Sequence, residues 1–499
     1  VKNARVRAEE LTRALGARSP FLWLGGLAAE SEGTGTQTVL SPADGRLVGR
    51  VATGSERDAE RAVRSARDAL RSAPPEAATS ERAQLALRLA DSIEAEADDF
   101  AILIALETGM PIREALVHEV DVAVRALRQV AAHALTPSGA ALALRPGLGA
   151  ELRRDGRKVV AVVTSWTSPL AGPAAGLAAC LGAGAAAILK PHELAPFTAL
   201  RLGELATRAG VPAGLVAVLP GHGATVGEAL ALHPDVDALW FQGGVETARR
   251  LLVASAKSNL KPIWPQLPGK NAAIVFDDTP LGRTLPALWR AALTGRGTSR
   301  AHPSRVLVHA SLHDDVAEAL TQRAREINAG DPLDEHAELG PLPSEEHVSR
   351  FVAYAELGRR EGARLVAGGT RDQAGERAAG HFVRPTVLLD VRRDMRIARE
   401  AVHGPLLTIE RFRKEDEAIE QANATPFGLA ASVFTEELGR ARRVAAALDV
   451  GTVWINGADV VDPALPRAGR SLSGHGGDLG PTAVDQLTAP KAVYWVGRG

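Results

Sequence analysis

The residues of this chain best suited to chemistry gather in a short polar stretch, Thr294-Gly-Arg-Gly-Thr-Ser-Arg-Ala-His-Pro-Ser-Arg305. At its centre lie two adjacent hydroxyls (Thr298 and Ser299), the guanidinium of Arg300 and an imidazole (His302). A hydroxyl beside a histidine is the raw material of a nucleophile and its base. Close neighbours on one loop seldom reach that geometry, so no nucleophile is assigned there. Arg300 carries donors, a permanent charge and no usable lone pair, and cannot attack a carbonyl. The one cysteine, Cys180, lies among alanines and leucines in a helical stretch and reads as a buried structural thiol. A second polar group is Leu189-Lys-Pro-His-Glu193, followed by glycine turns at Gly221, Gly223 and Gly243. Taken singly, Lys190 is a lysine at a strand end, Glu193 an acid at a helix N-terminus and Gly243 a turn glycine.

The elements that must position these groups follow from the pattern of apolar residues. Val159–Thr164, Ala185–Leu189, Leu215–Leu219 and Ala238–Phe241 are apolar, β-rich runs. They alternate with helical stretches at Pro169–Leu181, Ala195–Ala209 and Val226–Leu232. Strand and helix in alternation with short links predict a parallel, doubly wound sheet of the nucleotide-binding type. A second α/β segment has strands at Ala272–Phe276, Ser304–His309, Val383–Leu388 and Leu407–Phe412. Its helices are Leu312–Ala329, Ser344–Glu361, Glu415–Ala424 and Leu438–Leu448. Upstream, helical spacing covers Ser55–Leu70, Ser80–Thr108 (after a Pro74-Pro75 break, with Ser80 as cap) and Glu119–Ala134. A break at Leu135–Gly139 precedes a hairpin, Ala141–Arg154, turning at Pro146-Gly147. The strand-like Lys491–Val496 is placed to pair with it.

With 499 residues, 45% apolar, the chain can bury several cores. A net charge of −1 and the absence of a basic block point away from nucleic acid. No apolar run reaches the ~20 residues of a membrane span; the nearest, Ala171–Leu189, is broken by glycines. Val1–Arg18 lacks a signal-peptide core, and a single cysteine excludes a disulfide framework within the chain. These features are those expected of a cytoplasmic protein that binds no metal.

Over nearly its whole length the chain resembles the aldehyde dehydrogenase superfamily. The collinear motifs include Ala105-Leu-Glu-Thr-Gly-Met-Pro-Ile112, Leu189-Lys-Pro-His-Glu193, Gly210-Val-Pro-Ala-Gly-Leu-Val216 and Gly404-Pro405. Further on come Thr425-Pro-Phe-Gly-Leu-Ala-Ala431, Gly451-Thr-Val-Trp-Ile-Asn456, Asp462-Pro-Ala-Leu-Pro466, and Ser473-Gly474 before Leu479-Gly-Pro481. The resemblance implies an α/β architecture in three parts. Residues 1–136 and 157–264 would form a Rossmann-type nucleotide-binding domain, and 265–466 a catalytic-type α/β domain. Residues 137–156 and 482–499 would form a β-hairpin oligomerisation domain with a C-terminal strand.

It also implies roles that this chain fills poorly. Arg300 stands at the position of the thiol nucleophile. Gln266, in Gln266-Leu-Pro-Gly-Lys270, replaces the carboxylate base and takes no proton near neutral pH; Pro268 replaces a glycine. Thr167, in Ser165-Trp-Thr-Ser-Pro169, replaces an oxyanion-binding asparagine with a shorter donor. Losing one such donor costs roughly 3–4 kcal/mol of transition-state stabilisation in comparable enzymes. Trp166, Lys190, Glu193, Gly223 and Gly243 match the family's cofactor site, whereas Ala248 replaces a turn glycine. Ala401 and His403 stand where a glutamate and a phenylalanine would meet the nicotinamide ribose, with Glu400 one residue off register. Arg300 would bring a positive charge to the oxidised nicotinamide, worth roughly 4 kcal/mol of repulsion at about 4 Å in a partly screened site.

The expectation is an aldehyde dehydrogenase-fold pseudoenzyme. It would form homo-oligomers, or hetero-oligomers with an active aldehyde dehydrogenase that it stabilises or regulates. It would need no cofactor and bind NAD weakly or not at all. The alternatives are a non-redox nucleotide-binding or sensing protein and a divergent NAD-dependent aldehyde oxidoreductase. The purified chain should give no NADH absorbance with simple aldehydes and NAD. Arg300→Cys alone should not restore turnover, because Gln266 still cannot activate water; robust turnover by the unmodified chain would overturn this reading.

Overall fold

The alternating strands and helices assemble as that pattern requires, in a computed structural model that describes residues 3–72, 79–134, 139–145 and 148–496. The Pro74-Pro75 break, residues 135–138 and the Pro146-Gly147 turn fall outside the described residues. The first sheet runs Ile263–Gln266, Ala238–Gln242, Val159–Val163, Ala186–Lys190, Val216–Val218, Leu22–Leu24, Leu27–Ala29. Its first five strands are parallel. The last two form an antiparallel edge that no pattern in the sequence announced.

Residues of Val159–Val163 alternate between two cores. Val160 and Val162 pack with the helices Ala171–Ala183 and Pro196–Arg208. Val159, Ala161 and Val163 pack with Glu56–Ser72 and Val245–Lys257. Burial on both faces explains the unbroken apolar run. Helix Ala171–Ala183 is buried almost throughout, which accounts for its alanine- and glycine-rich composition. A Cβ on Gly176 would lie 2.5 Å from Val162, so this glycine sets how closely helix and sheet approach.

The second sheet runs Arg364–Ala367, Thr386–Leu389, Leu406–Phe412, Pro303–His309, Asn271–Val275, Ala430–Phe434, Thr452–Ile455. All neighbours are parallel except the first pair. The expected strand Val383–Leu388 starts only at Thr386, because Pro385 has no N–H for the ladder. A third sheet carries Ala140–Arg145, Leu148–Gly156 and Thr488–Val496, all antiparallel, with the last two paired over nine residues.

Two helix readings need correction. The single helix expected over Ser80–Thr108 is two, Thr79–Ala95 and Ala97–Thr108, so Ser80 lies inside a helix and caps nothing. The break falls at Glu96, whose carboxylate there binds Arg201 and Arg208 of the neighbouring helix. The helix expected to start at Glu119 starts at Asp121, after a wider helical turn over Ala115–Val120.

The motif containing Glu107 has a structural task. Its buried carboxylate accepts the Phe197 N–H (2.6 Å), the Thr198 N–H (3.0 Å) and the Thr198 hydroxyl (2.5 Å), closing the N-terminus of Pro196–Arg208. Burial outweighs these bonds and pushes the carboxyl up to about 7. Glu107→Ala should lower the apparent Tm in scanning fluorimetry by an amount equivalent to about 2–4 kcal/mol, the cost of a lost cap and orphaned buried donors.

Candidate active site

Strands of the first sheet end at one crevice, where the carboxyl ends of parallel strands leave room for a ligand. Val159–Val163 leads into Ser165-Trp166-Thr167, Ala186–Lys190 into Lys190 and Glu193, and Ala238–Gln242 into Gly243. Together with Gly223, Arg300 and His403 they line one cleft of about 750 Å³. Ala401, half-buried, and Gln266, fully buried, both lie outside this lining; Pro268 lines the cleft in place of Gln266. The cleft thus unites Arg300 with Thr167, and Gln266 sits two residues upstream of its wall. The backbone carbonyl of Gln266 accepts the Gly243 N–H at 3.4 Å, while its buried side-chain nitrogen has no partner among the described residues.

At one end of the cleft, Lys190 donates to Glu193 (3.1 Å) and to the Pro191 carbonyl (2.9 Å). Glu193 also accepts the Gly223 N–H at 2.7 Å. Burial lowers the Lys190 pKa and Glu193 offsets part of that. This trio fits the hydroxyls of an adenosine ribose, with the carboxylate as acceptor and the ammonium as donor.

At the other end, Trp166 stacks edge-on against His347 (4.8 Å between centroids) and His403 (6.4 Å). Burial pushes the His403 imidazole down to about 4, so it is neutral at pH 7. The hydroxyl of Thr167 shares a 3.1 Å hydrogen bond with that of Ser165. Glu400 is engaged elsewhere, accepting from Tyr354 (2.7 Å) and Arg396 (2.7 Å), and is absent from the cleft lining.

The residues before the strand Ser304–His309 were expected to form a loop, beginning at Thr294. Its first residues instead close the helix Leu281–Gly297, which departs from helical geometry at Thr294, Gly295 and Arg296. Gly297 is held at φ +69, and a Cβ there would strike the Gly404 carbonyl carbon at 2.6 Å. The Gly404 N–H donates to the Gly297 carbonyl at 2.9 Å, so this contact pins the segment before Arg300 to the one that carries His403.

Arg300 itself is buried and ion-paired with Asp478, which Arg467 also binds at 2.7 Å. The sequence supplied no partner for Arg300; the structure supplies Asp478. Arg300 thus enters the cleft wall as one half of an ion pair. Burial still pushes Arg300 down to about 10, and Asp478 counters part of that. Burial raises the Asp478 carboxyl, but the two guanidiniums prevail and hold it below its usual range.

The hydroxyl–imidazole pair does not form. The His302 Nδ1 bonds the Ser299 main-chain oxygen at 2.5 Å, and the Thr298 hydroxyl donates to the Gly295 carbonyl. Cys180 is fully buried in helix Ala171–Ala183, and burial raises its thiol pKa far above the usual range. Three further groups were not anticipated. Arg296 lies fully buried at φ +64, over Trp166 at 5.8 Å, with no hydrogen-bond partner among the described residues. Glu119 accepts Ser168 Oγ, Leu170 N–H and Ala171 N–H at 2.8–3.0 Å and so fixes the turn of Thr167. Asp459 is buried, and both its carboxylate oxygens lack a hydrogen-bond partner among the described residues.

A nucleotide-type cleft at the strand ends of an α/β sheet, with this motif order, defines the fold class of the dehydrogenases. A model of the aldehyde dehydrogenase family matches residues 29–493, and the chain belongs to that family. The aldehyde dehydrogenase KauB from Pseudomonas aeruginosa superposes with a TM-score of 0.95 at 36% identity, over 99% of each chain. A putative aldehyde dehydrogenase from Burkholderia cenocepacia gives 0.93 at 35% identity, over 95% of this chain and 97% of that one. The indole-3-acetaldehyde dehydrogenase AldA of P. syringae, solved as a cysteine-to-alanine mutant in complex with NAD+ and IAA, gives 0.95 at 34%, over 99% and 98%. No helix among the described residues is long and apolar enough to cross a membrane.

Asp478→Asn should destabilise the protein by about 3–5 kcal/mol, because it removes the carboxylate paired with the buried Arg300 and the half-buried Arg467. Adding Arg300→Met should recover part of that loss. Urea unfolding of the single and double variants checks it, and equal loss in both would remove the ion pair from the account.

Proposed function

We propose that this chain is a non-oxidising member of the aldehyde dehydrogenase family that acts by assembling with an active aldehyde dehydrogenase chain and stabilising or regulating it. The observation that carries this reading is the Arg300–Asp478 pair at the position where the family's chemistry needs a thiol. A guanidinium clamped by a carboxylate offers no electron pair to an aldehyde. Gln266 and Thr167 supply neither the base nor the oxyanion donor.

Support for assembly comes from the third sheet. Leu142, Leu144, Leu152, Tyr494, Trp495 and Val496 are exposed on it, Trp495 to 63%. Ala140–Arg145 pairs on one side only among the described residues. An apolar ribbon with an open edge is unfavourable in water and is satisfied by a neighbouring strand. Twofold assembly of like chains is the usual solution.

A second reading, non-redox nucleotide binding, is favoured by the Lys190–Glu193–Gly223 trio. NAD, when bound, supplies a hydride acceptor; Lys190 and Glu193 would hold its adenosine ribose. Ala401 offers the nicotinamide ribose no carboxylate. Calorimetry separates the two readings, since micromolar affinity for NAD would favour sensing over assembly.

Deleting Leu142–Arg153 should yield monomers or aggregates and abolish co-purification with an active family member from the native host. Sedimentation of the intact chain as a stable monomer, with no such partner recovered, would remove the basis of the assembly reading.

A further inference from the structure

Three elements meet at one indole. Trp166 follows the strand Val159–Val163 of the first sheet. His347, in the first turn of helix Glu345–Arg360, meets it edge-on at 4.8 Å with an interplanar angle of 79°. His403, just before the strand Leu406–Phe412 of the second sheet, meets it at 6.4 Å and 68°. The two histidines belong to one packed unit. A Cβ on Gly404 would lie 2.3 Å from the ring of Phe351, one helical turn beyond His347, so that ring lies directly on the Gly404 backbone. Two imidazoles join this unit to Trp166.

Both rings sit where a positive charge is opposed. Burial pushes His347 and His403 down to about 4. Glu346 favours a charge on His347, but Arg350 of the same helix, Arg296 and His381 oppose it. His302, His347 and Arg350 oppose a charge on His403. From the end of the strand Ala186–Lys190, His192 also bears on His347. Arg296 lies over Trp166 itself at 5.8 Å. The residues flanking the indole, Ser165 and Thr167, are uncharged and share a hydrogen bond. His347 Nδ1 lies 2.8 Å from the Ser344 hydroxyl, and only a neutral ring can accept from that hydroxyl.

We propose that His347 and His403 form an acid-sensitive latch. Neutral, they hold the start of helix Glu345–Arg360 and the segment before Gly404 against Trp166; protonated, they release both and open this end of the cleft. The sign follows from linkage. An imidazole free of the cluster titrates near about 6.5, so the closed form is fully favoured above that pH and loses ground as the pH falls toward 4. Between pH 7.5 and 5.5 each released histidine shifts the opening equilibrium about tenfold, and the pair about a hundredfold. The latch goes beyond the assembly reading and does not depend on it.

Hydrogen–deuterium exchange of the full chain at pH 7.5 and 5.5, corrected for the intrinsic pH dependence of exchange, reads the latch at the Gly404 amide. Its bond to the Gly297 carbonyl breaks when the segment leaves. Protection there should fall about a hundredfold at the lower pH, while helix Ala171–Ala183 keeps its protection. His347→Phe and His403→Phe keep a ring beside Trp166 that cannot charge. Each should reduce the fall to about tenfold, and the double variant should abolish it. The His347→Gln and His403→Gln counterparts, equally uncharged, carry the test if a phenylalanine variant misfolds. The proposal is overturned by unchanged Gly404 protection in the unmodified chain, by an equal loss in helix Ala171–Ala183, or by an undiminished fall in a folded variant.

Discussion

One buried carboxylate shared by two guanidiniums organises the reactive end of this molecule. Asp478 and Arg300 are buried together, and Asp478 also holds the half-buried Arg467. Removing ions from water costs several kcal/mol each, recovered only when geometry and additional bonds are good. Arg300 is therefore committed to Asp478 and is unavailable as a free cation in the cleft. Arg467 and Asp459 follow from the same constraint, since each lies close enough to shift the titration of Arg300.

The same region gathers buried polar atoms with no partner among the described residues. They include Gln242 Oε1, Gln266 Nε2, Lys270 Nζ, His302 Nε2, both oxygens of Asp459 and all three nitrogens of Arg296. Each such atom costs about 1–3 kcal/mol if left unsatisfied, and native interiors hold few of them. Lys270 illustrates the effect: burial pushes its ammonium down to about 7, with Arg305 adding to the shift. Six further unpartnered atoms, on Arg82, Arg157, Trp289, Arg371, His381 and Gln421, lie elsewhere among the described residues. More than half of the unpartnered atoms among the described residues belong to the group around the cleft.

Much of this was legible in the sequence for identifiable reasons. Val159–Val163, Ala186–Lys190 and Ala238–Gln242 declared themselves because strands buried on both faces read as unbroken apolar runs. Since the site residues sit at the ends of those strands, Lys190, Glu193, Gly243 and Thr167 could be placed around one crevice. The helix Leu281–Gly297 was missed because Pro286 and a glycine-rich end interrupt its signal. Asp478 was invisible as a partner. It lies 178 residues from Arg300, between two recognisable motifs, and an isolated aspartate has no periodicity to betray it. Arg296 was equally silent, since nothing local announces that an arginine will adopt a left-handed backbone and point inward.

The pairing of Thr488–Val496 with Leu148–Gly156 carries a consequence for the order in which the chain is made. More than 300 residues separate the two strands, and at about 5–20 residues per second the later one emerges roughly 15–60 s after the earlier. Throughout that interval Leu148–Gly156 has only Ala140–Arg145 beside it, and a lone two-stranded ribbon is marginal in water. The first sheet, complete by Gln266, can fold on the ribosome well before the third sheet has its outer strand. Nascent chains therefore pass through a stage in which a folded nucleotide-type unit carries an unfinished apolar ribbon. That stage is the point at which chaperone protection matters most.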